Sequence, residues 1–393
     1  MSMLDRRTLL SAAMAAPLLP GVRLHAAPAG SPRLLVVFMR GAYDSASVLV
    51  PTAPLYAESR PTLAIGRGGP KGAVPLDADW GLNPVLAPSL LPFWQKGELA
   101  FVPYAGTLDT SRSHFGVQDT LEYGLPMTTS RIGAGGFLNR LVGEVGGAQP
   151  IAFTQTLPLI FRGRASVPNL APSAKLAAGG GDAKRNDQLS RMYAADKVLG
   201  AAVASDIATR REVSRALAIE MATAGRDAVG ASSFENVARR IGTVMRGRTN
   251  LGFVDVGGWD THADQRGQLD FKLIQLGKGL AAFAAELGPA EWARTTVVVM
   301  SEFGRTLREN GARGTDHGNG TVYWVMGGNV RGGRIAGRQV KLVRSALHDD
   351  RDLPVLNEAR GVFAGLFQRL YGLDQSRLAR VFPGAKPSDI GLV

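Results

Sequence analysis

Hydrophobic positions in this chain follow two patterns, short continuous apolar runs and one long helical stripe. The runs cover residues 34–39, 99–102, 251–256, 296–300 and 322–326. Continuous rather than alternating, they predict strands buried on both faces, as in a parallel sheet covered by helices. The stripe is Leu269, Leu273, Leu276, Leu280, Phe283 and Leu287, closed by Gly288-Pro289, and it predicts an amphipathic helix that feeds the strand at 296. Weaker signals predict helices over 88–96, from 135 onward and over 361–371. They also predict short strands at 151–153 and 157–161, an edge strand at 60–65 and a hairpin over 334–342. Residues 171–183 form a low-complexity loop, and an Ala-, Arg- and Met-rich stretch after it reads as a helical insertion over about 183–247. Units of strand and helix in series predict an α/β fold over 29–393, a three-layer sandwich with a mainly parallel central sheet.

The polar residues after each run carry the chemistry, because ligands of open α/β sheets bind beyond the carboxyl ends of strands. Arg40-Gly41-Ala42-Tyr43-Asp44 follows the first run, and Asp109-Thr110-Ser111-Arg112-Ser113-His114 follows the second. Asp260-Thr261-His262 follows the third; Ser301-Glu302, Arg305 and Asp316-His317 follow the fourth. Any one of these fits a helix cap or a loop hydrogen bond. Recurrence at several strand ends points instead to a metal site. The candidate ligands are Asp44, Asp260, His262, Glu302, Asp316 and His317, with His114 beside them, a mixture suited to Zn²⁺, Mn²⁺, Fe or Ca²⁺. One or two such divalent ions would polarise a phosphoryl or sulfuryl oxygen. Thr110, Ser111 and Ser113 lie in a hydroxyl-rich turn entering a helix, where a nucleophile or an anion site is favoured, and Ser113 stands next to His114. Arg40 and Arg305 suit either an anionic oxygen or an ordinary ion pair.

Composition narrows the setting. The chain has 393 residues, 45% hydrophobic and 20% charged, with a net charge of +12 and no cysteine. Disulfides, thiolate metal sites and a Cys nucleophile are therefore excluded. The basic residues are scattered without interleaved aromatics, so an anionic small molecule, cell-wall polymer or lipid surface fits better than nucleic acid. Residues 1–28 place Arg6-Arg7 before a short apolar stretch and small residues at Ala26 and Ala27. That order predicts a Tat-type signal peptide, removed on export, with the Tat translocase as a transient partner and a periplasmic or secreted destination. The stretch is too short for a stable membrane span.

The stretches RGAYDSASVLVP, SRSHFGVQDTLEYG with GGFLNRLVG, and GGWDTHADQ with SEFGRTLRENGARGTDHGNG resemble an uncharacterised family of exported bacterial proteins, domain of unknown function 1501. That family is placed in the alkaline phosphatase and sulfatase-like superfamily. The resemblance implies an alkaline phosphatase-like sheet in which Asp44 matches the first metal-binding Asp, and Asp260 with His262 matches the Asp and His of the other metal. Glu302 matches the carboxylate of a later Asp-His pair, and His317 the last histidine. The sequence departs from that pattern at Phe303, where the pair has its histidine, in the short spacing from Asp260 to His262, and in an ambiguous nucleophile. The expectation is an exported metal-dependent hydrolase of a phosphate or sulfate ester, with a Ser or Thr nucleophile and Arg40 or Arg305 steadying the oxyanion. The alternative is a non-catalytic cell-envelope binding or assembly protein on the same fold.

Overall fold

A computed structural model describes residues 30–171, 191–193, 196, 201 and 234–393. The expected signal peptide and most of the expected insertion lie outside the described residues. In chain order the strands are β1 (Arg33–Met39), β2 (Leu49–Pro51), β3 (Val74–Pro75), β4 (Trp80–Leu82), β5 (Leu99–Gly106) and β6 (Pro150–Phe153). Then follow β7 (Leu251–Val256), β8 (Thr295–Met300), β9 (Thr321–Met326), β10 (Arg334–Ile335) and β11 (Asn357–Glu358).

The main sheet runs β10-β5-β9-β8-β1-β7-β6, with β11 also on β5, and β2-β4-β3 form a small antiparallel sheet. β1 is parallel to both β8 and β7, with Val36 opposite Val298 on one side and Phe253 on the other. This central position explains its unbroken apolar run. β9 is antiparallel to both of its neighbours, β8 and β5, so the sheet is mixed but mainly parallel, as expected.

Each central strand feeds two cores. Leu35, Val37, Val297, Val299 and Trp324 face one layer, together with the predicted stripe Leu269, Leu273, Leu276, Leu280, Phe283 and Leu287. Leu34, Val36, Phe38, Val298 and Tyr323 face the other, against Phe137, Leu141, Phe363 and Phe367. The long helix is Gln265–Trp292, broken at Gly288 (φ 74°, ψ 167°) where the sequence places its end. Among the described part of the insertion, helix Phe234–Arg246 packs Ala238, Ile241, Val244 and Met245 into the first core.

Three expected elements take other forms. Residues 157–161 hold a 3₁₀ turn, Leu159–Phe161, that buries Ile160 and Phe161 while the Ile160 N–H donates to Glu122. At 60–65 there is no strand: Pro61 lacks a donor, and the Thr62 and Leu63 N–H groups bind the Glu309 carboxylate. Over 334–342 only Arg334–Ile335 is extended in a ladder, and it lies parallel on β5 rather than folding into a hairpin.

Asp44 and Arg60 form a fully buried pair, with Nη1 2.5 Å from Oδ2 and Nη2 2.9 Å from Oδ1. Burial opposes the charge of Asp44, but Arg60, Ser47 and Gln265 outweigh it and hold its pKa below the usual carboxylate range. Removing one partner of a buried pair costs about 3–5 kcal/mol. Asp44→Asn should therefore lower unfolding stability at neutral pH by about that amount in a urea titration. The depressed pKa makes the pair's contribution complete above the unfolded-state carboxyl value of about 3.9 and lost as pH falls through the lower folded value. The gap between wild type and variant should close in that acid range; a gap independent of pH would assign the loss to packing.

Candidate metal centre

The carboxyl ends of β1, β5, β7 and β8 share one rim, and because β9 is antiparallel the segment entering it, with His317, begins there too. Glu302, the second residue beyond β8, is wholly buried. Its Oε1 accepts from the Gly41 N–H (2.8 Å) and Gln118 Nε2 (2.8 Å) and faces His114 Nδ1 (2.9 Å), while Oε2 lies 2.8 Å from Ser301 Oγ. Burial works against this charge, but the bonds from His114, Gln118 and Gly41 hold its pKa below the usual range. Gly41 must be glycine here: its φ is +116°, and a Cβ would lie 2.8 Å from the Asp260 nitrogen.

His114 opens helix His114–Tyr123 and Gln118 lies one turn on, so the same helical face brings both side chains to Glu302. Beyond them stands Asp260, 41% exposed, whose Oδ1 takes a 2.6 Å bond from Arg305 Nη1. Arg305 is buried and fixed in turn by Thr315, through Nη2 to the carbonyl (2.8 Å) and Nε to the hydroxyl (3.2 Å). Burial opposes the charge of Asp260, and the hydrogen bond and charge of Arg305, with His262 and His114, more than offset it.

The histidines converge on this carboxylate. His114 Nε2 is 2.9 Å from His317 Nε2 and 3.5 Å from Asp260 Oδ2; His317 Nε2 is 3.3 Å from Asp260 Oδ1. The donor atoms of His114, Asp260 and His317 all lie within 4.8 Å of one another. His262 Nε2 approaches from the open side, 2.9 Å from Asp260 Oδ1 and 3.2 Å from His317 Nε2, and its Nδ1 is 3.3 Å from Asp316 Oδ1.

The surroundings decide which nitrogens are free. His114 Nδ1 faces a carboxylate and His317 Nδ1 faces the Arg112 carbonyl at 3.0 Å, and both partners only accept. Each ring therefore carries its proton on Nδ1 and turns a lone pair at Nε2 toward the other. Two such nitrogens 2.9 Å apart require a proton or a cation between them. In the protonated case the charge belongs to His114, whose pKa is raised chiefly by its bond to Glu302; burial and the charge of His114 lower that of His317.

The donor set fits a divalent ion. Ligands around a tetrahedral Zn²⁺ at about 2.05 Å stand about 3.3 Å apart; here the two Nε2 atoms are 2.9 Å apart, His317 meets Asp260 at Oδ1 (3.3 Å) and His114 meets it at Oδ2 (3.5 Å), with one ligand atom from each residue within 4.8 Å of the others. Nδ1 bonds to a carboxylate and a carbonyl are the usual outer supports of metal-ligating histidines. Phe303, packed with Ala42 and Val117, forms an apolar wall against the rings of His114 and His317, at centroid distances of 5.0 and 5.2 Å.

The other expected site residues lie outside this cluster or support it. Asp44 is not among the converging donors: Arg60 occupies both of its oxygens, and Ser47 and Gln265 bind Oδ2 as well. Glu302 orients His114, and Asp316, also bonded by Asn310, faces His262 Nδ1. Arg305 is spent on Asp260. Arg40 is held by Asp255 (2.8 Å), Glu122 (2.8 Å) and Gln118 (2.9 Å) rather than facing the histidines. Ser113 caps the helix, its Oγ accepting from the Gly116 N–H at 3.4 Å; Ser111 Oγ lies 3.5 Å from the Ser113 nitrogen, and Thr110 is exposed. The sequence reading missed Gln118, although its spacing of four from His114 was visible, and Arg60 and Thr315, which no local pattern marks.

This site stands on a mainly parallel α/β sheet with helices on both faces. A family model described as "Protein of unknown function (DUF1501)" matches residues 105–382, and the chain belongs to that family. No curated protein matches the sequence. Among solved structures, the lipoteichoic acid synthase LtaP from Listeria monocytogenes is similar at 8% identity and a TM-score of 0.41, over 93% of this chain and 76% of that one. Ps i-CgsB is similar at 9% identity and a TM-score of 0.40, over 92% and 75%.

Since Glu302 supports His114 without donating to the cluster, Glu302→Gln should weaken divalent-metal affinity by about 10–100-fold rather than abolish it. Competition against a chelator measures this. Complete loss of binding in a folded variant would make Glu302 a direct ligand.

Proposed function

We propose that this protein is a divalent-metal-dependent hydrolase of a phosphate or sulfate ester. The observation that carries the reading is the convergence of His114 Nε2, His317 Nε2 and the Asp260 carboxylate, with two tautomers fixed by acceptors behind the rings. Three protein ligands and an open side are the pattern of a catalytic rather than a purely structural site. A bound ion would supply Lewis acidity toward an ester oxygen.

The remaining work falls to the chain. Glu302 and the Arg112 carbonyl keep the Nδ1 protons of His114 and His317, so both Nε2 atoms stay available. Arg305 keeps Asp260 ionised, and Phe303 excludes water behind the rings. His262, 46% exposed between Asp260 and Asp316, stands on that open side, where it passes a proton at Nε2 to a leaving group. Ser113, exposed and next to His114 in the sequence, is the hydroxyl assigned as the attacking group, on that adjacency alone. Export through the Tat route and an anionic, small or polymeric substrate belong to the same reading. They rest on the Arg6-Arg7 segment and the net charge of +12. Among the described residues no helix is long and apolar enough to cross a membrane.

A second reading, a non-catalytic envelope protein retaining an ion, is favoured by the commitment of Arg40 and Arg305 to carboxylates. Elemental analysis of the protein purified without added metal, followed by turnover of phosphate and sulfate esters, separates the two. The hydrolase reading expects about one equivalent of a transition metal, lost in His317→Ala with the fold retained, and ester turnover that Ser113→Ala reduces. Metal retained in His317→Ala would overturn the ligand assignment. Metal present without turnover of any ester would favour the second reading.

A further inference from the structure

Asp352 lies outside the cluster, yet it is fully buried, and its Oδ1 meets no hydrogen-bonding partner among the described residues. Burial raises its pKa in spite of Arg112 and Arg351, so the fold bears a cost to keep a carboxyl group here. Such a pair is weak evidence of a stabilising role. What it organises is visible in its two partners. Arg112 reaches Oδ2 through Nε (3.0 Å) and Nη2 (2.7 Å), and Arg351 through Nη1 (3.3 Å). The carbonyl of Arg112 faces His317 Nδ1 at 3.0 Å, and Nη2 of Arg351 donates to the carbonyl of His317 at 2.9 Å. Both arginines that touch Asp352 therefore also touch His317, one at the ring and one at the backbone.

The backbone of Arg112 makes this dependence sharper. Its φ is +55°, in the left-handed region that a non-glycine residue occupies only when its surroundings hold it there. A two-point bond from the Asp352 carboxylate to the Arg112 side chain is such a hold. The loop around Asp352 is itself anchored, with His348 and Asp352 exchanging both backbone hydrogen bonds (2.8 and 2.9 Å).

We propose that Asp352 is a positioning residue for His317: through Arg112 and Arg351 it fixes the ring and backbone of His317, so that Nε2 points at His114 and Asp260. The consequence for metal binding rests on the proposed metal centre; the consequence for the His317 ring does not.

Both are testable. In the metal-free protein, imidazole ¹H–¹⁵N spectra should show protected Nδ1–H signals for His114 and His317. Asp352→Ala, which removes the acceptor, should abolish protection at His317 and leave His114, which is held by Glu302, unchanged, a selectivity that general loosening of the fold does not produce. Divalent-metal affinity should fall about 10–100-fold in Asp352→Ala, as for loss of an outer support. Arg112→Ala, which leaves Asp352 paired with Arg351, should weaken binding in the same way, and the double variant should lose less than the product of the two single losses. A His317 signal unchanged in Asp352→Ala overturns the proposal, as does wild-type metal affinity in that variant. If the wild type takes up no metal, the proposed function fails, while the His317 signal still decides the role of Asp352.

Discussion

The buried carboxylate of Glu302 is the constraint on which the rim depends. A carboxylate removed from water is tolerated only when its lone pairs are met, and here the donors come from three separate elements. They are the Gly41 N–H at the end of β1, Gln118 and His114 on the helix after β5, and Ser301 beside Glu302 itself. Displacing any one of those elements strands part of the charge, so the ends of β1 and β8 and the first turn of the helix are fixed relative to one another. The tautomer of His114 follows from the same contact. The direction of its Nε2 follows from the tautomer, and the meeting with His317 and Asp260 follows from that direction.

Two arginine–carboxylate pairs near this rim have opposite consequences, and geometry explains the difference. Arg60 engages both oxygens of Asp44 in a fully buried pair, which leaves that carboxylate no free valence toward a cation. Arg305 contacts only Oδ1 of Asp260, and that side chain is 41% exposed with Oδ2 turned toward His114. The first arginine consumes a ligand; the second orients one and keeps it ionised.

Much of this was legible in the sequence. Continuous apolar runs gave the central strands because β1, β8 and β7 are covered on both faces, and the stripe from Leu269 to Leu287 gave the long helix down to its break at Gly288. The position of His114, Asp260, His262 and His317 after strand ends placed them at one rim. Their division of labour was not legible. Whether an acidic residue binds a cation or a guanidinium depends on which arginine reaches it, and Arg60 reaches Asp44 from a segment that reads as an edge strand. The same limit hid Asp352, whose partners Arg112 and Arg351 matter through a backbone carbonyl and a backbone contact that side-chain patterns do not encode. Most of the low-complexity loop and most of the insertion lie outside the described residues.

Phe303 and Arg60 each fix what the groups beside them can do. Phenylalanine at 303 offers no ligand atom, and its ring packs on His114 and His317 with Ala42 and Val117. A buried Asp44 left without a cation would then be an uncompensated charge, costing several kcal/mol. Arg60 supplies the missing positive charge from the protein itself, with a planar fork matched to both carboxylate oxygens. The cluster of His114, Asp260 and His317 by contrast keeps Asp260 Oδ2 and both Nε2 atoms turned inward, with Glu302, the Arg112 carbonyl and Arg305 as its outer supports.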